Sequence, residues 1–503
     1  MLDVFALSVA LSVGQGGTPA LVPVPELPRN VAVPSIAPMP SAPARLTGLP
    51  TQRSVISVDP MPAPYIAVRQ DPMTEAKIEP KADAPAEEEK KEEEEAPPEK
   101  GFFMKALEGT ALGQKMEDKR FSISGWTQMS YTKGNWNKPT TLPVVWNDRN
   151  NAFLLQQHWL KMGKDIDADS KEFSWGWNVD AMIGTDYRFM MIRGLFNEQL
   201  LGSQINANEP GGFKQNLYGF DLPTFYLRGY APNLFEGTEF RVGRQTTPWG
   251  VESIEGPTSP LLSRSYAFNW SPPFFHMAIS ALPKFSKNWS GTFMLANGND
   301  VFIDPSQELR FVGALTHTSD DEKTTVTAAT SFGRGKFNAG DPFNPATNGL
   351  MSEAAGRNNF NAFDLVINRK VTDNFTYALE AIYAYQTGVP TTGNVGALTG
   401  AAVNTDPVSV TANWWSVVNY FIYKHSDCVS SIVRAELFDD ADGQRTGFEG
   451  VYYAGTFGVQ FKPKDWLLVR PEIRYDYNGY STPFNGGTQH YQWTAATDLI
   501  VRW

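Results

Sequence analysis

The end of the chain, from Gln492 to Trp503, alternates in character at nearly every step. Trp493, Ala495, Thr497, Leu499, Val501 and Trp503 share one parity, and Gln492, Thr494, Ala496, Asp498 and Arg502 share the other, with Ile500 the single apolar intruder. A period of two puts successive side chains on opposite faces of an extended strand, so this stretch has one apolar and one polar face. One such strand covers a soluble core as readily as it faces lipid. Recurrence of the pattern is what narrows the choice.

The alternation returns from Arg120 onward. Phe121, Ile123, Met129 and Tyr131 oppose Ser122, Ser124, Gln128 and Ser130, with Trp126 breaking the rule. Trp175–Ile183 and Phe375–Tyr385 repeat it. In Leu467–Tyr477, Arg470, Glu472, Arg474 and Asp476 stand opposite Leu467, Val469, Pro471, Ile473, Tyr475 and Tyr477. Charges on one face and an unbroken apolar series on the other fit a wall between lipid and water. Roughly sixteen such segments fit before Trp503, an even number, as single-chain bacterial barrels require. Short polar connections (Thr318–Lys323, Lys462–Asp465) read as periplasmic turns, and long Gly/Asn/Pro-rich ones (Phe337–Asn359, Thr387–Thr411, Asn478–His490) as outer loops. All 14 tryptophans lie at or after Trp126, several near strand ends, where interfacial girdles are expected.

Composition agrees. A mean hydropathy of −0.32 beside 13% aromatic residues suits a barrel in which only alternate residues meet lipid. Beyond Arg29 no run of about 18 apolar residues exists, which excludes spanning helices. A net charge of −11 argues against a nucleic-acid partner. The single cysteine, Cys428, excludes an intramolecular disulfide and is expected to be buried or lumenal.

The expected fold is therefore all-β: a transmembrane antiparallel up-and-down β-barrel of about 16 strands behind a disordered Pro-rich leader. Residues 1–17 read as a truncated export signal, with Val4–Val13 apolar but Asp3 where a basic flank is usual; an unstructured end is the alternative. Residues 18–100 are Pro-rich and finish in the acidic block Glu87–Glu95, the marks of a disordered, solvated linker. Residues 101–119 read as a short helix or linker, and 120–503 as the barrel.

Five segments in this order, QQHWLKMGKDID (Gln156–Asp167), FSWGWNVDAMIGTDYRF (Phe173–Phe189), LPTFYL (Leu222–Leu227), FRVGRQTTPWGVE (Phe240–Glu252) and NWSGTFMLANGND (Asn288–Asp300), resemble the OmpL-like β-barrel porin family. The resemblance covers most of Arg120–Trp503. It implies a barrel of the bacterial outer membrane with pore activity, and it carries over no catalytic or ligand residues.

Parity nominates a lumenal wall of Asp180, Arg241, Glu380, Arg434, Glu436, Arg470, Glu472, Arg474, Asp476, Asp498 and Arg502. Both signs occur, whereas strong ion selectivity needs a ring of one sign. Pro248, Trp249, Gly250 and Glu252 either begin an inward constriction loop or form an ordinary turn. The closing strand, with Leu499, Val501 and Trp503, resembles the terminal strand that the barrel assembly machinery recognises. The five histidines are scattered, no catalytic motif accompanies them, and the acidic run Asp439–Asp442 lacks an EF-hand order. No cofactor, metal or catalytic residue is expected. The expected function is passive diffusion of small hydrophilic solutes or ions, in contact with outer-membrane lipid and plausibly as a homotrimer. The alternatives are a structural barrel tied to the cell wall through the leader, a soluble carbohydrate-binding β-protein, or a barrel lipase.

Overall fold

The computed structural model describes residues 102–137, 141–190, 192, 217–302, 309–334, 360–390, 409–443 and 445–503. The readings made for residues 1–17 and 18–100, and for the loop Phe337–Asn359, lie outside the described residues. Between Phe102 and Lys119 there are two helices, α1 (Phe102–Leu107) and α2 (Ala111–Asp118). Gly109 separates them at a φ of +76°, and the Thr110 hydroxyl caps α2 by accepting from the Gly113 amide at 3.0 Å.

Strands follow in chain order: β1 (Phe121–Gly134), β2 (Ala152–Lys164), β3 (Ser174–Gly184), β4 (Gly219–Asp221), β5 (Phe225–Ala231), β6 (Thr238–Thr246), β7 (Phe275–Pro283), β8 (Trp289–Ala296) and β9 (Arg310–Thr318). The rest are β10 (Thr324–Phe332), β11 (Asn361–Thr372), β12 (Phe375–Pro390), β13 (Ser409–Ser426), β14 (Val429–Asp440), β15 (Gly450–Lys464), β16 (Leu467–Asn478) and β17 (Tyr491–Arg502). Each pairs antiparallel with its neighbours, and β1 pairs with β17, which closes the ring. Both β4 and β5 pair with β3, at its two ends, so together they occupy one position in a barrel of sixteen. Pro223, which has no N–H for the ladder, lies in the break between them. Arg244 reaches that break, donating to the Leu222 carbonyl at 2.6 Å and pairing with Asp221 at 2.8 Å.

Exposure alternates along the strands. On β16, Arg474 and Asp476 are fully buried while Ile473 and Tyr475 are half exposed, so the polar parity faces inward and the apolar parity forms the outer belt. One β-bulge shifts this parity: Gln156 is the extra residue on β2 opposite Gln128 and Met129. Gln156 and Gln157 are consequently both buried, and beyond them Trp159 and Lys161 face inward. The apparent irregularity at Trp126 is then explained, because it points inward and stacks on Trp159 at 4.9 Å.

The tryptophans divide. Trp126, Trp146, Trp159, Trp249, Trp270 and Trp414 are buried inside the barrel, contrary to a purely interfacial role. The outer girdles are built from other rings: Tyr131, Tyr453, Tyr477 and Trp493 towards the long-loop end, and Trp175, Phe235, Trp289 and Trp466 towards the end that carries Phe121 and Trp503. Cys428 is a second correction. It is exposed in the tight turn between β13 and β14, because a two-residue turn at the barrel rim offers nothing to cover it.

Candidate functional site: a segment folded into the barrel

The connection from β6 to β7, residues 247–274, turns into the lumen. Gly250 has a φ of +92°, a conformation that glycine adopts without steric cost, and sits where the chain bends inward. Further along, Ser265 caps a short helix α3 (Tyr266–Trp270), its hydroxyl accepting from the Phe268 amide at 3.0 Å. Trp249, Tyr266, Phe268, Trp270 and Phe274 join Trp146 and Phe189 from two other connections in a buried apolar cluster.

A buried segment with only short helical turns must still satisfy its remaining amides and carbonyls. The barrel wall does so with charged side chains. The Gly250 amide donates to Asp364 at 3.0 Å and the Val251 amide to Glu380 at 2.9 Å. The Leu262 and Ser263 amides donate to Glu472 at 2.9 and 3.1 Å, and the Tyr266 amide to Glu436 at 2.8 Å. Arginines take the carbonyls: Arg470 that of Ser259 at 2.5 Å, Arg434 that of Ser263 at 2.5 Å, Arg474 that of Arg264 at 2.6 Å and Arg502 that of Pro257 at 3.1 Å. The Gln460 amide bonds the Pro260 carbonyl at 2.7 Å. Gln157 works both ways, donating to the Ile254 carbonyl at 2.7 Å and accepting from the Gly256 amide at 3.0 Å. Alternating carboxylates and guanidinia on the wall thus match the alternating donors and acceptors of a chain laid across it.

The charges also compensate one another. Arg434 pairs with Glu252 at 2.6 Å and Glu436 at 2.7 Å, Arg474 with Asp476 at 2.8 Å and Glu436 at 3.5 Å, and Arg470 with Asp498 at 2.5 Å. Of the residues nominated from sequence, Glu380, Arg434, Glu436, Arg470, Glu472, Arg474 and Arg502 therefore gather on the inserted segment, with Asp476 and Asp498 paired to their arginines. Asp180 reaches the segment only through Lys161, 3.8 Å away, which pairs with Glu255, and Arg241 lies apart. Asp180 accepts from the Trp159 ring N–H at 3.1 Å, and Arg241 pairs with Glu239 at 2.7 Å and lies 4.9 Å over the Tyr226 ring. Pro248 and Trp249 are buried, and Glu252 is fully so. Leu499 and Val501 lie on the outward parity, while the Trp503 ring approaches His158 at 5.6 Å.

Sequence reading passed over Gln157, Asp364, Gln460 and Lys161, the last pairing with Glu255 of the segment at 2.5 Å. Asp364 was detectable, since it sits at an even position on an alternating strand; Lys161 and Gln157 were hidden by the bulge. Outside the strands, the turn Thr185–Phe189 places Asp186 against Gln157 at 2.9 Å, and burial pushes its carboxyl up to about 7. Among the described residues no group of histidines, cysteines or acids is arranged to hold a metal ion.

A family profile described as "Putative beta-barrel porin-2, OmpL-like" matches residues 120–503. Three solved structures have similar folds: the outer membrane channel DcaP of Acinetobacter baumannii (10% identity, 76% of this chain and 97% of that one, TM-score 0.46), an anion-selective porin from Comamonas acidovorans (10%, 76% and 99%, TM-score 0.47), and Salmonella typhi OmpF in complex with daunomycin (12%, 77% and 99%, TM-score 0.46). No curated protein sequence matches the chain.

Proposed function

Because the chain belongs to the OmpL-like β-barrel porin-2 family, we propose that its lumen passes small hydrophilic solutes or ions by passive diffusion, with residues 247–274 setting the narrowest section. The protein is a porin-type barrel of the bacterial outer membrane, and its apolar outer belt is the surface such a barrel turns to lipid. The observation that carries the diffusion reading is the inserted segment. A loop held across the lumen by wall charges narrows the barrel without needing a separate plug domain, and a fixed constriction is what a size-limited passive channel requires. The paired charges orient water and permeant near the constriction while holding it in place.

The test is single-channel recording on the refolded full chain in a planar bilayer. Stable conductance steps that scale with salt concentration are the expected result. A barrel that inserts into the membrane but stays electrically silent overturns the proposal.

A further inference from the structure

Residues 141–148, in the connection from β1 to β2, form a compact lobe at the long-loop half of the barrel, and all of them are buried. The lobe closes on itself. The Thr141 amide donates to the Asp148 carbonyl at 2.8 Å and the Val144 amide to the Thr141 carbonyl at 3.1 Å, while the Thr141 hydroxyl lies 3.3 Å from the Val144 and Asn147 carbonyls. Backbone groups bonded within a segment stay satisfied when that segment moves as a body.

Base and tip are held differently. At the base, Asp148 accepts two bonds from Arg188, at 2.8 and 3.2 Å, and the Gln492 amide group donates to the Thr141 carbonyl at 2.8 Å. Next to it, the Asn150 side chain accepts from the Gly134 amide at 2.8 Å, at the end of β1. The tip hydrogen-bonds through neutral groups: the Trp270 ring N–H donates to the Pro143 carbonyl at 3.1 Å, and Asn147 donates to the Thr132 hydroxyl at 3.2 Å. Neutral bonds of this kind are about half as strong as charge-assisted ones. The rest of the hold on the tip is packing, with the Trp146 ring 4.9 Å from Phe189, 5.8 Å from Phe268 and 5.8 Å from the Arg264 guanidinium.

This closed arrangement carries two costs. Trp146 has a φ of +77°, in the left-handed region that a bulky side chain rarely adopts, and such strain persists only where the surroundings impose it. The second cost is polar. Asn147 Oδ1 and the hydroxyls of Ser130 and Thr494, on the wall beside Thr132, are buried with no hydrogen-bond partner among the described residues. Water would satisfy all three once the tip lifts from β1 and β17.

Resting on the diffusion reading above, we propose that the lobe is the gate of this channel: its tip, residues 142–147, tilts about the base and opens the long-loop half by uncovering Ser130, Thr132 and Thr494. Burial of Val144, Val145 and Trp146 favours the closed arrangement. Relief of the strain at Trp146 and hydration of the unpartnered atoms offset part of that preference, so the two arrangements exchange. Residues 247–274, anchored by charged wall side chains, stay in place and set the section beyond.

The experiment uses the full chain with Cys428→Ser as background, recorded in planar bilayers with a charged methanethiosulfonate reagent. Ser130→Cys and Thr494→Cys, both covered in the closed arrangement, are expected to react and to lose about half or more of their current. Thr456→Cys, buried 3.2 Å from the Arg434 that holds the inserted segment, is expected to react at least about tenfold more slowly. Thr132→Cys joined to Asn147→Cys by a short bis-methanethiosulfonate bridge is expected to silence the channel until the bridge is reduced. A conducting channel in which Ser130→Cys and Thr494→Cys never react, or in which Thr456→Cys reacts as fast as they do, overturns the gate and leaves the diffusion reading standing. Unchanged current through channels whose bridge is confirmed by mass does the same. A silent unmutated barrel removes both.

Discussion

Arg434 of the barrel wall and Glu252 of the inserted segment meet at 2.6 Å, with both side chains fully buried. Removing one partner of such a pair leaves an uncompensated charge away from water, which costs about 3–5 kcal/mol. Glu252 also accepts from the Ser265 amide and hydroxyl at 2.8 and 2.9 Å, so it ties the start of the segment to the cap of α3. Glu252→Ala is expected to loosen the segment, giving larger and noisier conductance steps and a lower melting temperature. Combining it with Arg434→Met is not expected to restore stability, because buried Glu436 then loses its 2.7 Å partner and keeps only Arg474 at 3.5 Å. Identical channel records for Glu252→Ala and the unmutated chain would show that the pair does not hold the inserted segment in place.

The seam between first and last strands is equally specific. Gly125 and Trp503 exchange two backbone hydrogen bonds of 2.9 Å. A Cβ at Gly125 would lie 2.1 Å from the Trp159 carbonyl oxygen and 2.6 Å from the Trp503 ring. Backbone cannot yield as a flexible side chain can, so Gly125→Val is expected to cost about 1–3 kcal/mol and to lower the yield of folded barrel. Gly455→Ala on β15, where a Cβ meets nothing within 4 Å, is the matched control. Electrophoresis of unheated against heated samples reads both, and equal folded fractions would mean that the seam tolerates a side chain.

The barrel was legible because a period of two survives wherever one face meets lipid and the other does not; the Leu467–Tyr477 strand alone displayed both faces. The lumenal charges were legible for the same reason. Their partners were not. Glu472 and Arg470 bind the backbone of residues about two hundred positions earlier, and backbone amides carry no sequence signature. The segment itself has no periodicity, since its bonds go to the wall and not to a ladder of its own. One extra residue at Gln156 inverted the parity of half of β2 and hid Lys161. Buried and girdle tryptophans look alike in sequence, because an indole that stacks on Trp126 and one that faces headgroups both fall on alternating strands.

Cys428 offers a test of which end faces which compartment. It is exposed in a turn at the end that carries Trp503, whereas Tyr480, 74% exposed, lies in the long connection between β16 and β17. Outer-membrane barrels place short turns towards the periplasm and long loops outside. A membrane-impermeant maleimide should therefore spare Cys428 in intact cells and label it once the outer membrane is opened, while Tyr480→Cys in a Cys428→Ser background is labelled in intact cells. Labelling of Cys428 from outside would invert the orientation.

Asp186 gives the barrel a pH dependence whose sign can be worked out. Its carboxyl is raised from 3.8 to about 7, burial being the largest cause; the Gln157 hydrogen bond and the Arg264 and Arg188 charges pull the other way, and Asp148 adds to the rise. The folded state thus holds a proton that the unfolded chain releases near 3.8. Stability tied to this group is complete below that value and is lost as pH rises through about 7, amounting to a few kcal/mol for a shift of this size. Because Asp186 accepts from the same Gln157 amide that donates to the Ile254 carbonyl, at 2.9 and 2.7 Å, its ionisation bears on the hold of the inserted segment. Asp186→Asn keeps the shape and cannot ionise. It is expected to match the unmutated chain near pH 4, to melt higher near pH 8.5, and to flatten the decline between them. Parallel melting curves for the two proteins across that range would show that Asp186 contributes nothing to the pH response.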